Sequence, residues 1–301
     1  MEKRKLEKLG VETSLLGYGC MRFPMTADGK IDEAEAEKLL DTALAAGINY
    51  IDTAWPYHNG ESEPFVGKVL SKYPRDSYYL ATKLPVWLVK SLDEVDTYLE
   101  KQLERLRTDH IDFYLMHSLD QESWDRRVEM GPVKRLEELK AEGKIRYLGF
   151  SFHDKYEVFE EILNYRDWDF CQIQLNYMDT DIQAGLKGYE LTVKKNIPLV
   201  IMEPVKGGTL ASFSEDLEEE FHKLDRKASV ASYALRWVGS LPNVKVILSG
   251  MSSMEQLQDN LATFADFKAL STEERDTIDK VVAAIRARVQ NGCTGCRYCM
   301  P

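Results

Sequence analysis

Eight short apolar runs, separated by longer polar segments of helical periodicity, constrain this chain more than any other feature. They fall at residues 15–19, 48–52, 78–83, 111–117, 145–151, 170–175, 198–203 and 244–249. Several are dense in β-branched and aromatic residues, the composition of strands buried on both faces. Between them, residues 32–46 run up to Gly47 in the place of a helix C-terminal glycine. Ser91-Leu92-Asp93-Glu94 has the form of a capping box opening a helix to about residue 107. Residues 133–142 stop at Gly143, and Ser252-Ser253-Met254-Glu255 opens another helix.

Strand–helix alternation repeated eight times, with no break in composition, predicts an α/β fold closed into a (β/α)8 TIM barrel. A doubly wound open sheet is the rival. It would hold a dinucleotide through a Gly-rich first turn, and Leu16-Gly17-Tyr18-Gly19-Cys20-Met21 does not make that fingerprint. Eight units favour closure. An N-terminal β-hairpin is expected at residues 5–9 and 12–16, turning at Gly10 and covering the barrel floor. Residues 206–227 are too long for a bare connection and read as a lid or binding loop, or as a solvated helical insertion. With a C-terminal helical extension, the barrel unit spans residues 1–290.

The bulk composition removes some function classes. At 44% apolar and 30% charged residues the chain is of globular type. A net charge of −11 argues against a binder that tracks nucleic-acid phosphates. No apolar run approaches the roughly 20 residues of a membrane helix. Met-Glu-Lys-Arg-Lys leads straight into strand-like sequence without the apolar stretch of a signal peptide. The expectation is a cytoplasmic protein with neither nucleic acid nor membrane as partner.

Single polar residues close three consecutive runs: Asp52, Lys83 and His117. In a parallel barrel these strand ends open side by side on one face, and Tyr57 lies on the loop above it. A lysine cation beside a tyrosine lowers its pKa from about 10. An aspartate holds that lysine, and a neutral histidine donates a hydrogen bond to a carbonyl. Such a set suits protonation of a carbonyl oxygen as hydride reaches carbon. Taken singly, each residue has a plain structural alternative: a turn-capping aspartate, a rim lysine, a hydrogen-bonded strand-end histidine, a packed loop tyrosine. Their convergence on one face has none as economical.

The stretches 47–57, Ala81-Thr82-Lys83 and Leu115-Met116-His117-Ser118 resemble the signature segments of the aldo-keto reductases, and the likeness extends over about residues 1–265. The resemblance implies an enzyme that reduces an aldehyde or ketone, its small-molecule carbonyl substrate. Tyr57 would be the general acid, tuned by Lys83 and Asp52, and His117 would position the carbonyl. The expected cofactor is NADPH, with NADH the alternative, bound without a Rossmann fold. Ser151 and Gln172 match positions that hold the nicotinamide carboxamide, and Met202 stands where many members stack a tyrosine. Phe152 replaces the asparagine that commonly follows the serine, which removes one expected amide contact. Pro204, Val205, Lys206 and Gly208 match the pyrophosphate-side loop. Gly250, Ser252, Gln256 and Asn260 match the adenosine end. Gln256 falls where an arginine commonly holds the 2′-phosphate, so discrimination against NADH is expected to weaken.

Cys293, Cys296 and Cys299 crowd the last nine residues at C-x2-C-x2-C spacing, a pattern that suits an iron–sulfur cube. Zinc and three free thiols are the alternatives. The tail resembles the opening of a ferredoxin-like module found in some aldo-keto reductase relatives. Residues 291–301 are therefore expected to begin an incomplete module of a longer protein. A [4Fe–4S] cluster, with an electron-transfer partner, would belong only to that longer chain. Cys20 and Cys171 are expected in or beside barrel strands, away from the tail. Two other readings remain: a barrel kept as a redox sensor, and a barrel serving as a docking platform for electron transfer. A barrel metallohydrolase is disfavoured, because no His-x-His pair stands at a strand end.

Overall fold

The computed structural model describes residues 1–288. Strand β1 (Lys3–Leu6) pairs antiparallel with β2 (Val11–Ser14). The first strand of this hairpin ends earlier than expected. The Leu9 and Gly10 N–H groups both donate to the Leu6 carbonyl, so the turn already occupies residues 7–10. Gly10 closes it at φ +69°, a conformation that glycine adopts without strain.

The remaining strands are parallel and close in chain order. They are β3 (Leu16–Gly19), β4 (Tyr50–Asp52), β5 (Tyr79–Leu84), β6 (Ile111–Leu119), β7 (Ile145–Phe152), β8 (Cys171–Gln174), β9 (Leu199–Met202) and β10 (Val244–Ser249). β10 pairs back on β3, completing the expected eight-stranded barrel.

Helices cover the outside: α1 (Glu33–Ala45), α2 (Ser62–Leu70), α3 (Leu92–Leu106), α4 (Gln121–Met130), α5 (Pro132–Ala141), α6 (Tyr156–Tyr165), α7 (Gly185–Lys194), α8 (Glu215–His222), α9 (Val230–Gly239), α10 (Met254–Ala265) and α11 (Thr272–Arg288). α3 starts where the sequence places it, but not through a capping box. Ser91 makes no side-chain cap, and Glu94 instead accepts from the Lys90 N–H at 2.6 Å. α10 does use its serine: Ser253 Oγ accepts from the Gln256 N–H. The long connection after β9 carries α8, which packs with α9 and α11 through Leu217, Phe221, Tyr233, Ile278 and Val281. Among the described residues no helix is long and apolar enough to cross a membrane.

Side chains alternate in and out along a strand. The inward row of Tyr50, Ala81, Phe113, Leu115, Phe170, Val200 and Val246 fills the barrel, and Leu6, Leu9 and Val11 of the hairpin pack against it. Arg4 ties the hairpin to the carbonyls of Leu241 and Val244, at the start of β10. The hairpin therefore plugs the floor, and the cavities over the barrel interior lie at its C-terminal face.

Candidate active site

The same alternation builds the site. Moving two residues from an inward core position reaches a polar inward position one layer higher: Tyr50 to Asp52, Ala81 to Lys83, Leu115 to His117. Phe170 leads in the same way to Gln172, and Val200 to Met202. Ser151 stands two residues past Gly149, where an added Cβ would lie 2.7 Å from the Phe170 ring and carbonyl. Six site residues are thus the upper ends of rows that begin as barrel core.

Lys83 is fully buried and Asp52 is 2% exposed. The Lys83 ammonium donates to Asp52 Oδ1 at 2.7 Å, to the Thr53 carbonyl at 2.7 Å and to the Tyr57 hydroxyl at 3.3 Å. Tyr57 opens a short 3-10 turn in which His58 (φ 51°) and Asn59 (φ 55°) are left-handed. His58 clasps that turn to the loop after β3: its Nε2 accepts from the Phe23 N–H, which leaves the protonated Nδ1 facing Met25 Sδ at 3.0 Å. The rings of Tyr57 and His117 meet edge to face at 6.1 Å, and the Trp87 ring lies tilted 5.1 Å from the imidazole, centre to centre.

Electrostatics follow from this enclosure. Burial pushes the Tyr57 phenol above its ordinary value, and the Lys83 cation opposes the shift without reversing it. The lowering expected from a neighbouring lysine is present, but desolvation is the larger cause and sets the direction. Burial also works against the Lys83 charge, but Asp52 and then Tyr57 outweigh it and leave its pKa raised. Burial, with Lys83 and His153 adding to it, holds His117 well below the usual imidazole range. A protonated phenol, a neutral imidazole and a fixed ammonium therefore share one pocket.

Two adjoining cavities, which share Arg22, Glu203, Leu248 and Gly250, form one groove over this face. The inner part is lined by Asp52, Tyr57, His117, Ser151, Gln172 and Met202. The outer part is lined by Pro204, Val205, Gly208, Gly250, Ser252, Gln256 and Asn260. Lys83 lies behind Tyr57 and touches the groove through it. Lys206 does not line the groove; its ammonium is turned aside onto Asp179. Phe152 is outward, against Phe159 of α6 at 5.2 Å between rings, so it neither supplies nor blocks a contact in the pocket. His153 lines the inner cavity instead, and Arg22 lies at the junction. Sequence reasoning passed over both. His153 was findable as the next inward step from Ser151, whereas Arg22 sits on an irregular loop with no periodic signal.

The donor set fits a nicotinamide. Gln172 Oε1 is buried with no hydrogen-bond partner among the described residues, and Gln172 Nε2 has only Met202 Sδ, at 3.4 Å. An unsatisfied acceptor beside the Ser151 hydroxyl suits the amide of a carboxamide. In the outer part, Asn260 Nδ2 donates to Ser249 Oγ at 2.9 Å, and Gln256 Oε1 accepts from the Ser252 N–H at 2.8 Å. Cys20 and Cys171 are buried free thiols. Among the described residues no cluster of three or more His, Cys, Asp or Glu is arranged to hold a metal ion. Cys293, Cys296 and Cys299, with the module expected at residues 291–301, lie outside the described residues.

A family model described as the aldo/keto reductase family matches residues 15–283. The uncharacterized oxidoreductase YqkF of Bacillus subtilis (strain 168) is 29% identical, over 91% of this chain and 94% of the relative. The NADH-specific methylglyoxal reductase of Escherichia coli (strain K12) is 28% identical, over 85% of this chain and 89% of the relative. Among solved structures, the holo form of an aldo-keto reductase from Bacillus halodurans superposes with a TM-score of 0.76 at 29% identity, over 93% of this chain and 96% of that one.

Proposed function

Because the chain belongs to the aldo/keto reductase family, we propose that it reduces an aldehyde or ketone to the alcohol with Tyr57 as general acid. The observation that carries this reading is the 3.3 Å contact of Lys83 with the Tyr57 hydroxyl, at the wall of a cavity that also holds a neutral His117. A bound NADPH or NADH supplies the hydride to the carbonyl carbon.

The protein's own part is proton handling. The Tyr57 phenol stays protonated until a carbonyl oxygen accepts its proton, and the phenolate left behind is stabilised by the adjacent Lys83 ammonium. Asp52 fixes that ammonium and balances its charge. His117 is neutral, so its N–H orients the carbonyl without competing for the proton. Gln172 and Ser151 would hold the carboxamide, with Met202 against the ring. The outer groove from Pro204 to Asn260 would hold the rest of the dinucleotide. NADPH is the proposed first choice. Gln256 supplies no guanidinium for a 2′-phosphate, and a relative of similar overall sequence is named NADH-specific, so NADH use is expected as well.

Single-turnover oxidation of bound NADPH and NADH by a panel of simple aldehydes and ketones tests the reading. Oxidation by at least one carbonyl, lost in Tyr57→Phe, supports it. Dinucleotide that binds but is oxidised by none of the panel counts against it.

A further inference from the structure

Lys206 is the one residue of the expected cofactor set that the fold withdraws from the groove, and its partner is specific. Asp179, on the loop between β8 and α7, is 3% exposed. Its carboxylate accepts from Lys206 Nζ at 2.6 and 2.5 Å. Oδ2 also accepts from Gln174 Nε2 and from Asn176 Nδ2, each at 3.1 Å. Asn176 then reaches the start of the same loop, donating from Nδ2 to the Glu203 carbonyl at 3.1 Å. Its Oδ1 accepts from the N–H groups of Met178 and Asp179, each at 3.0 Å, so the Asp179 turn is itself fixed.

Residues 203–206 are thus pinned at both ends from the neighbouring strand's loop, at the Glu203 carbonyl and the Lys206 ammonium. The segment needs pinning. Glu203 (φ 57°) and Lys206 (φ 49°) are left-handed without being glycine, a state that persists only where the surroundings impose it. Between and beyond them, Pro204, Val205, Gly207 and Gly208 form the wall of the outer groove.

We propose that Asp179 and Lys206 form a positioning latch: the pair holds residues 203–208 in the shape that accepts a dinucleotide, and Lys206 acts through the loop rather than on the ligand's phosphates. This rests on the groove being the dinucleotide site. Releasing the latch lets the segment leave its strained conformation. If the competent fraction falls to about a tenth, apparent affinity falls about tenfold.

The test is direct titration of NADPH and NADH, by quenching of protein fluorescence at low and high salt. Wild type is compared with Asp179→Asn, Lys206→Met, Lys206→Arg and the Asp179→Asn/Lys206→Met double variant. In parallel, subtilisin cutting near residues 203–208 is timed on the dinucleotide-free proteins. The latch predicts that each single loss weakens affinity by about tenfold and that the double is no worse than the weaker single. It also predicts partial rescue by Lys206→Arg, similar salt dependence throughout, and faster cutting wherever the pair is broken. The loss falls on dinucleotide affinity rather than on kcat. Affinity unchanged in Asp179→Asn, with Lys206→Met weakened in a salt-dependent way, would make Lys206 a direct phosphate ligand and overturn the latch. Equal affinity in all variants would overturn it too. Wild type that binds neither dinucleotide would sink the reading of the groove instead. The cutting rates would still decide the latch, by rising in the broken variants or staying level.

Discussion

The Lys83 ammonium lies 2.7 Å from Asp52 Oδ1, with the lysine closed to water and the aspartate nearly so. Asp52 Oδ2 has no hydrogen-bond partner among the described residues. Two charges taken out of water at this depth, one of them only half satisfied, contribute little net stability. What the pair does is keep a cation 3.3 Å from the Tyr57 hydroxyl, where the proposed reaction would leave a phenolate to be stabilised.

Breaking the pair from one side is therefore expected to cost more than removing it. Asp52→Asn leaves Lys83 buried without its counter-ion and is expected to destabilise the fold by about 3–5 kcal/mol. Asp52→Asn combined with Lys83→Met is expected to recover much of that loss, with turnover still absent. Urea unfolding of the three proteins measures it. A double variant as unstable as the single would mean that the pair itself holds the barrel together.

Tyr57→Phe keeps the ring between the Lys83 ammonium and His117 and removes only the hydroxyl. Turnover is expected to fall by about 10²–10⁴-fold, the usual worth of a positioned acid. Dinucleotide affinity should move by no more than about twofold, because the contacts proposed for the carboxamide and phosphates are made by other residues. Near wild-type kcat in this variant would remove Tyr57 from the chemistry.

His117 gives the fold a directional dependence on pH. Its folded-state pKa lies well below 6.5, so between that value and 6.5 the unfolded chain binds the extra proton. Stability is complete above pH 6.5, declines as pH falls through that window, and levels off below the folded value. His117→Asn should flatten the fall of the urea midpoint from pH 7 to pH 5, a fall to which His58 and His153 add and which the raised carboxyls of Asp52 and Glu63 oppose. An identical slope in the variant would show that the imidazole takes up its proton alike in the folded and the unfolded protein.

Gln256→Arg is expected to raise the ratio of NADPH to NADH affinity. One hydrogen bond from a guanidinium to a phosphate contributes about 1.5–3 kcal/mol, roughly tenfold or more in affinity. Titration with both cofactors reads the ratio. No change would place the 2′-phosphate away from the start of α10.

Much of this is legible in the sequence. The eight apolar runs fall on the eight barrel strands; Asp52 ends its strand, while Lys83 and His117 stand one and two residues short of the ends of theirs, each raised from the core by the two-residue period. What escaped the sequence was set by tertiary contact. The direction of the Tyr57 shift depends on how completely the pocket excludes water, which no local pattern encodes. No local pattern shows that the fold brings Asp179, 27 residues away along the chain, within 2.6 Å of Lys206. Phe152 looks like a lost amide contact only if it points inward, and the register of β7 turns it toward Phe159.

The alternation that raises Asp52 above Tyr50 and Lys83 above Ala81 also limits how such a chain can change over generations. A one-residue insertion between the core position and the site position would reverse the parity of that strand's tip and hand its functional group to the helices outside. Within these strands the sequence can lengthen or shorten only in steps of two without losing the site. The loops beyond the strand ends carry no such parity and are free to vary residue by residue. Substitution and length change at the rim therefore leave Asp52 and Lys83 facing inward, as parts of the barrel's own arithmetic.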